Sequence, residues 1–133
     1  MSDLSVTVSF PGGKKVDAQV GNGFVISTDQ PPEHGGQGSA PEPFDLFLAS
    51  IASCAGVFAL NFCQSRNLST EGLSLKMHCE RDTEKKRFSR MILSLELPEG
   101  FPEKYRSGII RAMELCAVKK HIVEAPEFVV ETC

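Results

Sequence analysis

The stretch "PFDLFLASIASCAGVFALNFC", Pro43 to Cys63, decides how this chain folds. From Leu46 to Cys63 it runs for eighteen residues without a charge, which is the threshold length for a membrane-spanning helix. Seven of these eighteen residues are Ala, Ser or Gly, however, and no belt of aromatic or basic residues flanks the run. The composition therefore favours a buried helix over a membrane span, and we expect no membrane partner.

A loop rich in proline and glycine, "QPPEHGGQGSAPEP" at residues 30–43, leads into this helix. Ser39 and Glu42 have the spacing of a capping box, in which two side chains satisfy free amides at a helix N-terminus. The prolines at the end of the loop fit only the first helical turn, where an amide hydrogen has no intrahelical partner. The helix should therefore begin near residue 40 and end at about Ser65.

A helix that is apolar on all sides must be covered on all sides. One small sheet and one further helix cannot easily supply that cover in a chain of 133 residues. The many small side chains of the helix would let another helix approach closely. We therefore predict a homodimer with this helix at its centre.

Alternating apolar and polar residues predict strands on both sides of the helix. Three short strands precede it, "SVTVSF", "KVDAQV" and "FVIST", and form an antiparallel meander. After it, "LSLKMHC" and "RMILSLEL" form a hairpin, a second helix follows, and "EFVVETC" is a last strand. The second helix carries an apolar stripe at helical spacing: Tyr105, Ile109, Ala112, Met113 and Cys116. No repeat or boundary interrupts this order, so we predict one α+β domain over residues 1–133.

The composition excludes several classes of partner. With 14 Lys and Arg against 17 Asp and Glu, and no long basic block, we expect no nucleic-acid partner. The N-terminus lacks a cationic start followed by an apolar run, so we expect a cytoplasmic protein without a signal peptide. Five cysteines without a C-x-x-C pair argue against a disulfide scaffold and a zinc ribbon. Cys116 and His121 have no obvious third ligand, so we predict no metal and no cofactor.

The two cysteines of the long helix, Cys54 and Cys63, cannot bond to each other. Nine positions apart, they point to opposite faces and lie roughly 13 Å apart along the axis. Cys116 is the possible redox partner of Cys54, because the second helix must pack against the large apolar helix. The alternative is that both are compact core residues. Cys63 and Cys79 are predicted core residues, and Cys133 has no assigned role.

Two motifs resemble a known family. The segment "GGQGSAPEPFDLFLASIASCAG" resembles the start of the central helix in the OsmC/Ohr superfamily, the osmotically inducible and organic hydroperoxide resistance proteins. The segment "AMELCAVKKHI" resembles the helix of that family that bears its second cysteine. The order of elements along the whole chain fits as well. The chain is therefore identified from its sequence as a divergent member of this superfamily.

The resemblance implies a fold, an assembly and a reaction. The fold is an OsmC-like α+β structure, intertwined with a second copy, with two equivalent thiol sites at the subunit interface. Cys54 is implied to be the peroxidatic cysteine, which attacks the peroxide, and Cys116 the resolving cysteine. The implied reaction is the reduction of organic hydroperoxides through a sulfenic acid and a disulfide, which an external dithiol reductant reopens.

The sequence departs from the family pattern at three positions. Phe44 stands where the active hydroperoxide reductases have a glutamate, and Ala117 stands where a proline usually follows the second cysteine. Residues 1–65 contain no arginine, whereas the family supplies one to the thiolate from its N-terminal strands. Lys15 is at the position that some branches fill with arginine, and we predict that it is the thiolate partner.

A cation is expected because a thiol with a pKa of about 8.5 is only about 3% ionised at pH 7. Cys54 lies in the middle of its helix, so the N-terminus of that helix cannot stabilise its thiolate. The leading hypothesis is a thiol peroxidase. The alternatives are a non-catalytic dimer that binds a small apolar ligand and a redox sensor whose disulfide changes partner binding.

Overall fold

The N-terminal strands form the predicted antiparallel meander. In the computed structural model, which describes residues 3–132, strands β1 (Thr7–Gly12), β2 (Lys15–Val20) and β3 (Phe24–Thr28) pair in the order β1-β2-β3. The chain divides into two compact units, one ending at Ala49 and one beginning at Ser50. The meander belongs to the first unit. That residues 1–133 form a single domain stays a prediction.

The glycine-rich loop after β3 is organised by one buried carboxylate. Asp29 is 1% exposed and accepts hydrogen bonds from the amides of Gln30 (2.8 Å), Gln37 (3.3 Å) and Ser39 (3.1 Å), and from the Ser39 hydroxyl (2.6 Å). These donors, the Ser39 hydroxyl first, lower the pKa of Asp29 to about 2. At Gly36 a Cβ atom would lie 1.9 Å from the Gln30 carbonyl oxygen, so only glycine fits. The loop is therefore a folded element.

The long helix α1 spans Pro43–Ser65 and ends where predicted, but its start differs from the sequence prediction. The Ser39 side chain, expected to cap the helix, is bound to Asp29 instead. The Asp45 carboxylate accepts a hydrogen bond from the Glu42 amide at 3.0 Å. In a capping box, this is the bond made by the side chain of the third helical residue. The cap is thus built one turn later than the spacing of Ser39 and Glu42 indicated.

The second unit packs α1 against a hairpin and a short helix. Strands β4 (Ser74–Asp82) and β5 (Arg87–Glu96) pair antiparallel as predicted, and helix α2 spans Arg106–Met113. Helices α1 and α2 approach closely, since a Cβ atom at Gly108 would lie 3.1 Å from the Phe62 ring. The buried core is contributed by these two helices and is flanked by leucines of the hairpin; its members are Ala55, Ala59, Phe62, Cys63, Ile109 and Met113.

By length and hydropathy alone, α1 is capable of crossing a membrane, with a mean hydropathy of 2.0. The central helix of a soluble protein meets the same criterion, so the finding by itself is weak. The helix buries one face, including Ile51, Ala55 and Cys63, in the protein core. Val57 and Leu60 on the same helix stay 51% and 37% exposed.

The predicted second helix is broken. A 3-10 turn at Glu103–Tyr105 leads into α2, which ends at Met113, and a separate helix α3 spans Ala117–Val123. Cys116 lies in the break with φ −52° and ψ 121°, a non-helical conformation, yet it is only 2% exposed. The apolar stripe therefore predicted the burial of Cys116 correctly. The stripe was wrong in placing Cys116 on the second helix, because a residue outside a helix can be buried at the same spacing.

The predicted last strand is not formed by residues 127–132, which have no regular structure, and Cys133 lies outside the described residues. Among residues 3–132 the two sheets are β1-β2-β3 and β4-β5, and neither includes this segment as a paired strand. Phe128 and Val130 are 83% and 97% exposed. A segment of alternating apolar and polar residues forms a strand only where a neighbouring strand accepts and donates its backbone hydrogen bonds.

Candidate active site

Cys54 and Cys116 lie next to each other in the second unit. Cys54 is half-buried near the middle of α1, and Cys116 is buried in the break before α3. Both are free thiols, and the Cys116 side chain is hydrogen-bonded to Cys54. The two cysteines that the sequence singled out thus form one cluster. Their roles as attacking and resolving thiols stay predictions.

Backbone amides at the start of α3 also bind the Cys54 sulfur. The N–H groups of Val118 and Ala117 both donate to it. They are free to do so because the first intrahelical bond of α3 runs from the Lys120 amide to the Cys116 carbonyl, at 3.1 Å. The non-helical backbone of Cys116 thus places a second thiol and two amides next to the same sulfur.

This environment lowers the pKa of Cys54. The largest cause is the hydrogen bond from the Val118 amide, followed by the one from the Cys116 thiol; burial opposes them, and the Ala117 amide adds to them. The sequence argument considered only the N-terminus of the helix that carries Cys54 and missed these amides. The available signal was Ala117 itself, because alanine keeps the amide hydrogen that proline lacks.

The other described cysteines are in structural environments. Cys63 is fully buried, and burial raises the pKa of its thiol, partly offset by the nearby charge of Arg66. Arg66 stacks on the Phe62 ring at 3.7 Å from its centre and donates to the Phe62 carbonyl, closing the end of α1. Cys79 is half-buried on β4, opposite Met91. Cys63 is therefore a packing residue with little access to any oxidant.

The remaining predicted residues lie elsewhere. Lys15 is the first residue of β2 in the first unit, where it lines a cavity of about 340 Å³ together with Lys14 and Asp29. Its pairing with Cys54 stays a prediction. Phe44, at the position of the family glutamate, is 51% exposed, and its ring lies 5.4 Å from that of Phe47.

His121, the one histidine considered as a metal ligand, lies on α3. Its Nδ1 atom is 2.7 Å from the Ala117 carbonyl oxygen, so the ring is engaged with the backbone of its own helix. Among residues 3–132 no three His, Cys, Asp or Glu side chains are grouped to hold a metal ion. The cysteine cluster therefore contains two thiols and two amide donors, which are groups that can stabilise a thiolate.

The chain is thus an α+β protein with a two-thiol site. A half-buried cysteine on its central helix lies beside a second cysteine from a later segment. The sequence model of OsmC-like proteins matches residues 36–131. Since that is well over half of the chain, the protein belongs to the OsmC-like family. No curated protein matches the chain significantly.

Solved structures show the same fold. A Psychrobacter arcticus protein named for osmotic stress and a detoxification response superposes with a TM-score of 0.74 at 20% identity, covering 90% of this chain and 88% of that one. The OsmC-like protein from Mycoplasma pneumoniae gives 0.72 at 16% identity, covering 93% and 89%. An organic hydroperoxide resistance protein from Elizabethkingia anophelis gives 0.61 at 19% identity, covering 91% and 89%. At these identities the likeness concerns the fold.

The first prediction concerns the two cysteines of α1. At pH 7, iodoacetamide is expected to label Cys54 faster than Cys63, because only Cys54 has a lowered pKa and partial exposure. The rate at Cys54 should reach half its maximum below the ordinary thiol value of about 8.5. Mass spectrometry of the labelled peptides across pH measures both rates. Cys63 serves as the internal control and should react only after unfolding in urea; equal rates in the folded protein would contradict the assignment.

Proposed function

We propose that this protein is a thiol peroxidase that reduces organic hydroperoxides, with Cys54 attacking and Cys116 resolving. The observation that carries the proposal is the Cys54 sulfur, held by two amides and by the thiol of a second cysteine. Membership of the OsmC-like family supports it, and so does the fold shared with an organic hydroperoxide resistance protein. The proposed reductant is an external dithiol, which a reducing cytoplasm would supply.

The reaction begins at the thiolate of Cys54. Its sulfur attacks the terminal oxygen of the hydroperoxide, an S–O bond forms, and the O–O bond breaks. The alkoxide leaves and takes up a proton to become the alcohol. The sulfur has lost two electrons and is now a sulfenic acid.

Resolution follows from the position of Cys116. Its thiol attacks the sulfenic sulfur, an S–S bond forms, and hydroxide leaves with a proton as water. The dithiol reductant then returns two electrons and two protons and restores both thiols. Because Cys116 lies in a break between helices, its backbone has more freedom to approach Cys54 than a residue inside a helix would have.

Peroxide consumption is the direct test of this function. With an alkyl hydroperoxide and excess dithiol, the wild-type protein is expected to consume peroxide, and Cys54→Ser is expected to lose at least 100-fold, on the order of what removal of a nucleophile costs. Cys116→Ser should form no intramolecular disulfide, so its Cys54 sulfenic acid should accumulate and be trapped by dimedone. Cys79→Ser, a half-buried cysteine on β4, is the control and should keep the activity.

The same assay separates the alternatives. If wild type and Cys54→Ser are equally inert, the peroxidase proposal is wrong. An inert protein that still binds an apolar ligand would be the non-catalytic dimer. A protein that forms the Cys54–Cys116 disulfide with peroxide but does not turn over would be the redox sensor.

We further propose Lys15 as the cation that stabilises the Cys54 thiolate. A unit charge at about 4 Å supplies up to about 4 kcal/mol at an effective dielectric near 20, more than a shift of two pKa units requires. A lysine is a point charge without the planar fork of arginine, so it would hold the thiolate without orienting the peroxide through two parallel bonds.

Substitution of the neighbouring lysines tests this role. Lys15→Met is expected to raise the pKa of Cys54 by about one unit or more, as measured by iodoacetamide labelling across pH. Lys14→Met removes an identical charge one position earlier and is the matched control. The proposal is wrong if both substitutions leave the same pKa.

We also propose that the protein is a homodimer built around α1. The support is the helix itself, which keeps Val57 and Leu60 exposed although it carries no charge from Leu46 to Cys63. Large apolar side chains exposed in this way usually mark an interface. The family resemblance implies the same arrangement.

Light scattering after size exclusion tests the dimer. At micromolar concentration the mass should be twice the 14.5 kDa of one chain. Val57→Glu places a charge on the exposed face of α1 and is expected to weaken association by at least tenfold, because the charge must be buried on assembly. Thr83→Glu makes the same charge change in the exposed hairpin tip and should not affect association. A stable wild-type monomer at this concentration would refute the proposal.

A further inference from the structure

A cavity of about 440 Å³ lies beside Cys116, at the break between α2 and α3. Residues on both sides of the break, between Glu114 and Glu124, form its walls. Cys116 is only 2% exposed, yet it belongs to the wall of this cavity, whereas Cys54 does not. The cavity therefore approaches the cysteine pair from the side of Cys116.

The size and lining of the cavity are typical of a site for a small molecule. Such sites have volumes of roughly 300–1,000 Å³ and combine apolar walls with a few polar groups. Here Leu115 and Val123 are apolar wall residues that stay 70% and 78% exposed, so they are available to the carbon chain of a ligand. The charged side chains of the wall are two lysines and two glutamates, Lys119, Lys120, Glu114 and Glu124. Because these charges balance, the cavity suits a ligand without net charge.

We propose that the disulfide between Cys54 and Cys116 is reduced through this cavity, by a small dithiol without net charge that attacks the Cys116 sulfur. The inference rests on the proposed function, because it takes that disulfide as the state that must be reduced. It deepens that function by naming the entrance of the reductant and the sulfur that it attacks. Peroxide meets Cys54 at its own half-buried side chain, so the two substrates use different sides of the cysteine pair.

The geometry of thiol–disulfide exchange favours attack at Cys116. A thiolate attacks one sulfur of the disulfide, nearly in line with the bond that breaks and from the side opposite the leaving sulfur. A cavity whose wall includes Cys116 but not Cys54 is placed for attack on Cys116. Cys54 is also the better leaving group, because exchange is faster when the leaving thiol has a lower pKa, and its surroundings, the Val118 amide first, lower the pKa of Cys54.

The exchange proceeds in two balanced steps. In the first, one thiolate of the reductant forms an S–S bond with Cys116, the bond between the two protein cysteines breaks, and Cys54 leaves as a thiolate. In the second, the other thiol of the reductant loses its proton and attacks its partner sulfur, which closes a cyclic disulfide and releases Cys116. The reductant is oxidised by two electrons, and both protein sulfurs are reduced.

The first measurement identifies the sulfur that is attacked. The disulfide of the full-length protein is made with diamide, which oxidises thiols without peroxide. The oxidised protein is treated briefly with 2-mercaptoethanol, a monothiol that cannot close a ring, and is then quenched with acid. Tryptic peptides 16–66 and 112–119 separate Cys54 from Cys116 for mass spectrometry. At the earliest times we expect the adduct on Cys116.

The second measurement fills the cavity. Leu115→Trp is expected to slow the reduction of the diamide-made disulfide by dithiothreitol about tenfold, because the rate of exchange depends on access to the sulfur. Leu4→Trp makes the same substitution at an 87% exposed leucine outside the cavity, and it should be reduced at the wild-type rate. In the reduced Leu115→Trp protein, iodoacetamide should label Cys54 within about twofold of the wild-type rate, since that route does not cross the cavity.

An adduct on Cys116 together with slow reduction of Leu115→Trp supports the proposal. It is overturned by an adduct mainly on Cys54, by equal reduction of wild type and Leu115→Trp, or by a disulfide that a protein dithiol reduces and dithiothreitol does not. It is also overturned if diamide forms no bond between Cys54 and Cys116. If Leu115→Trp does not fold, the adduct on the wild-type protein decides.

The same experiments separate this inference from the proposed function. Because diamide makes the disulfide, a protein that consumes no peroxide but is attacked at Cys116 would disprove the peroxidase and leave the inference intact. A protein that consumes peroxide but is attacked at Cys54 would keep the peroxidase and reject the inference.

Discussion

The burial of one face of α1 against α2 and the β4–β5 hairpin is the constraint on which the second unit depends. Ala55, Ala59 and Cys63 are at most 1% exposed, and Ile109 of α2 is fully buried beside them. Each large buried side chain contributes roughly 1.5–3 kcal/mol, so this face fixes the rotation of the helix about its axis. Once Cys63 points into the core, a cysteine nine positions earlier must point about 180° away. Cys54 is therefore half-buried at the rim of the core, where the chain before α3 can reach it.

The chemistry of Cys54 follows from what meets it at that rim. The run from Leu46 to Cys63 carries no charge, so it offers Cys54 no charged side chain, and a thiol inside a helix receives none of that helix's free amides. The break at Cys116 supplies amides from another segment, since it turns the start of α3 toward Cys54, and it also keeps a second thiol beside Cys54. The alanine at position 117, which looks like a loss relative to the family proline, adds a donor. A departure from a family motif can therefore lower the pKa of a cysteine by another physical route.

Repeating patterns allowed most of the fold to be predicted, and the errors have physical causes. The meander, the long helix and the hairpin each follow a period of two or about 3.6 residues that local sequence displays directly. The capping role of Ser39 was wrong because its hydroxyl binds Asp29, ten residues earlier, and a distant buried acceptor leaves no local signature. The break before α3 was missed because the burial of Cys116 agrees with helical spacing. The donor role of Ala117 was missed because every residue except proline carries an amide hydrogen, so the alanine showed only that a donor was available there.

The remaining error and the exposed face of α1 share one explanation. The segment 127–132 alternates like a strand yet finds no strand beside it, and Val57 on α1 has an apolar side chain without cover. The same is true of β1, all six residues of which are exposed although Val8 and Phe10 are apolar. Exposed apolar surface of this extent is unfavourable in water, and the unpaired backbone groups of a strand-like segment can form hydrogen bonds with another strand. The homodimer proposed above would cover surfaces of this kind, because a second chain can bury apolar side chains and pair with unpaired strand edges.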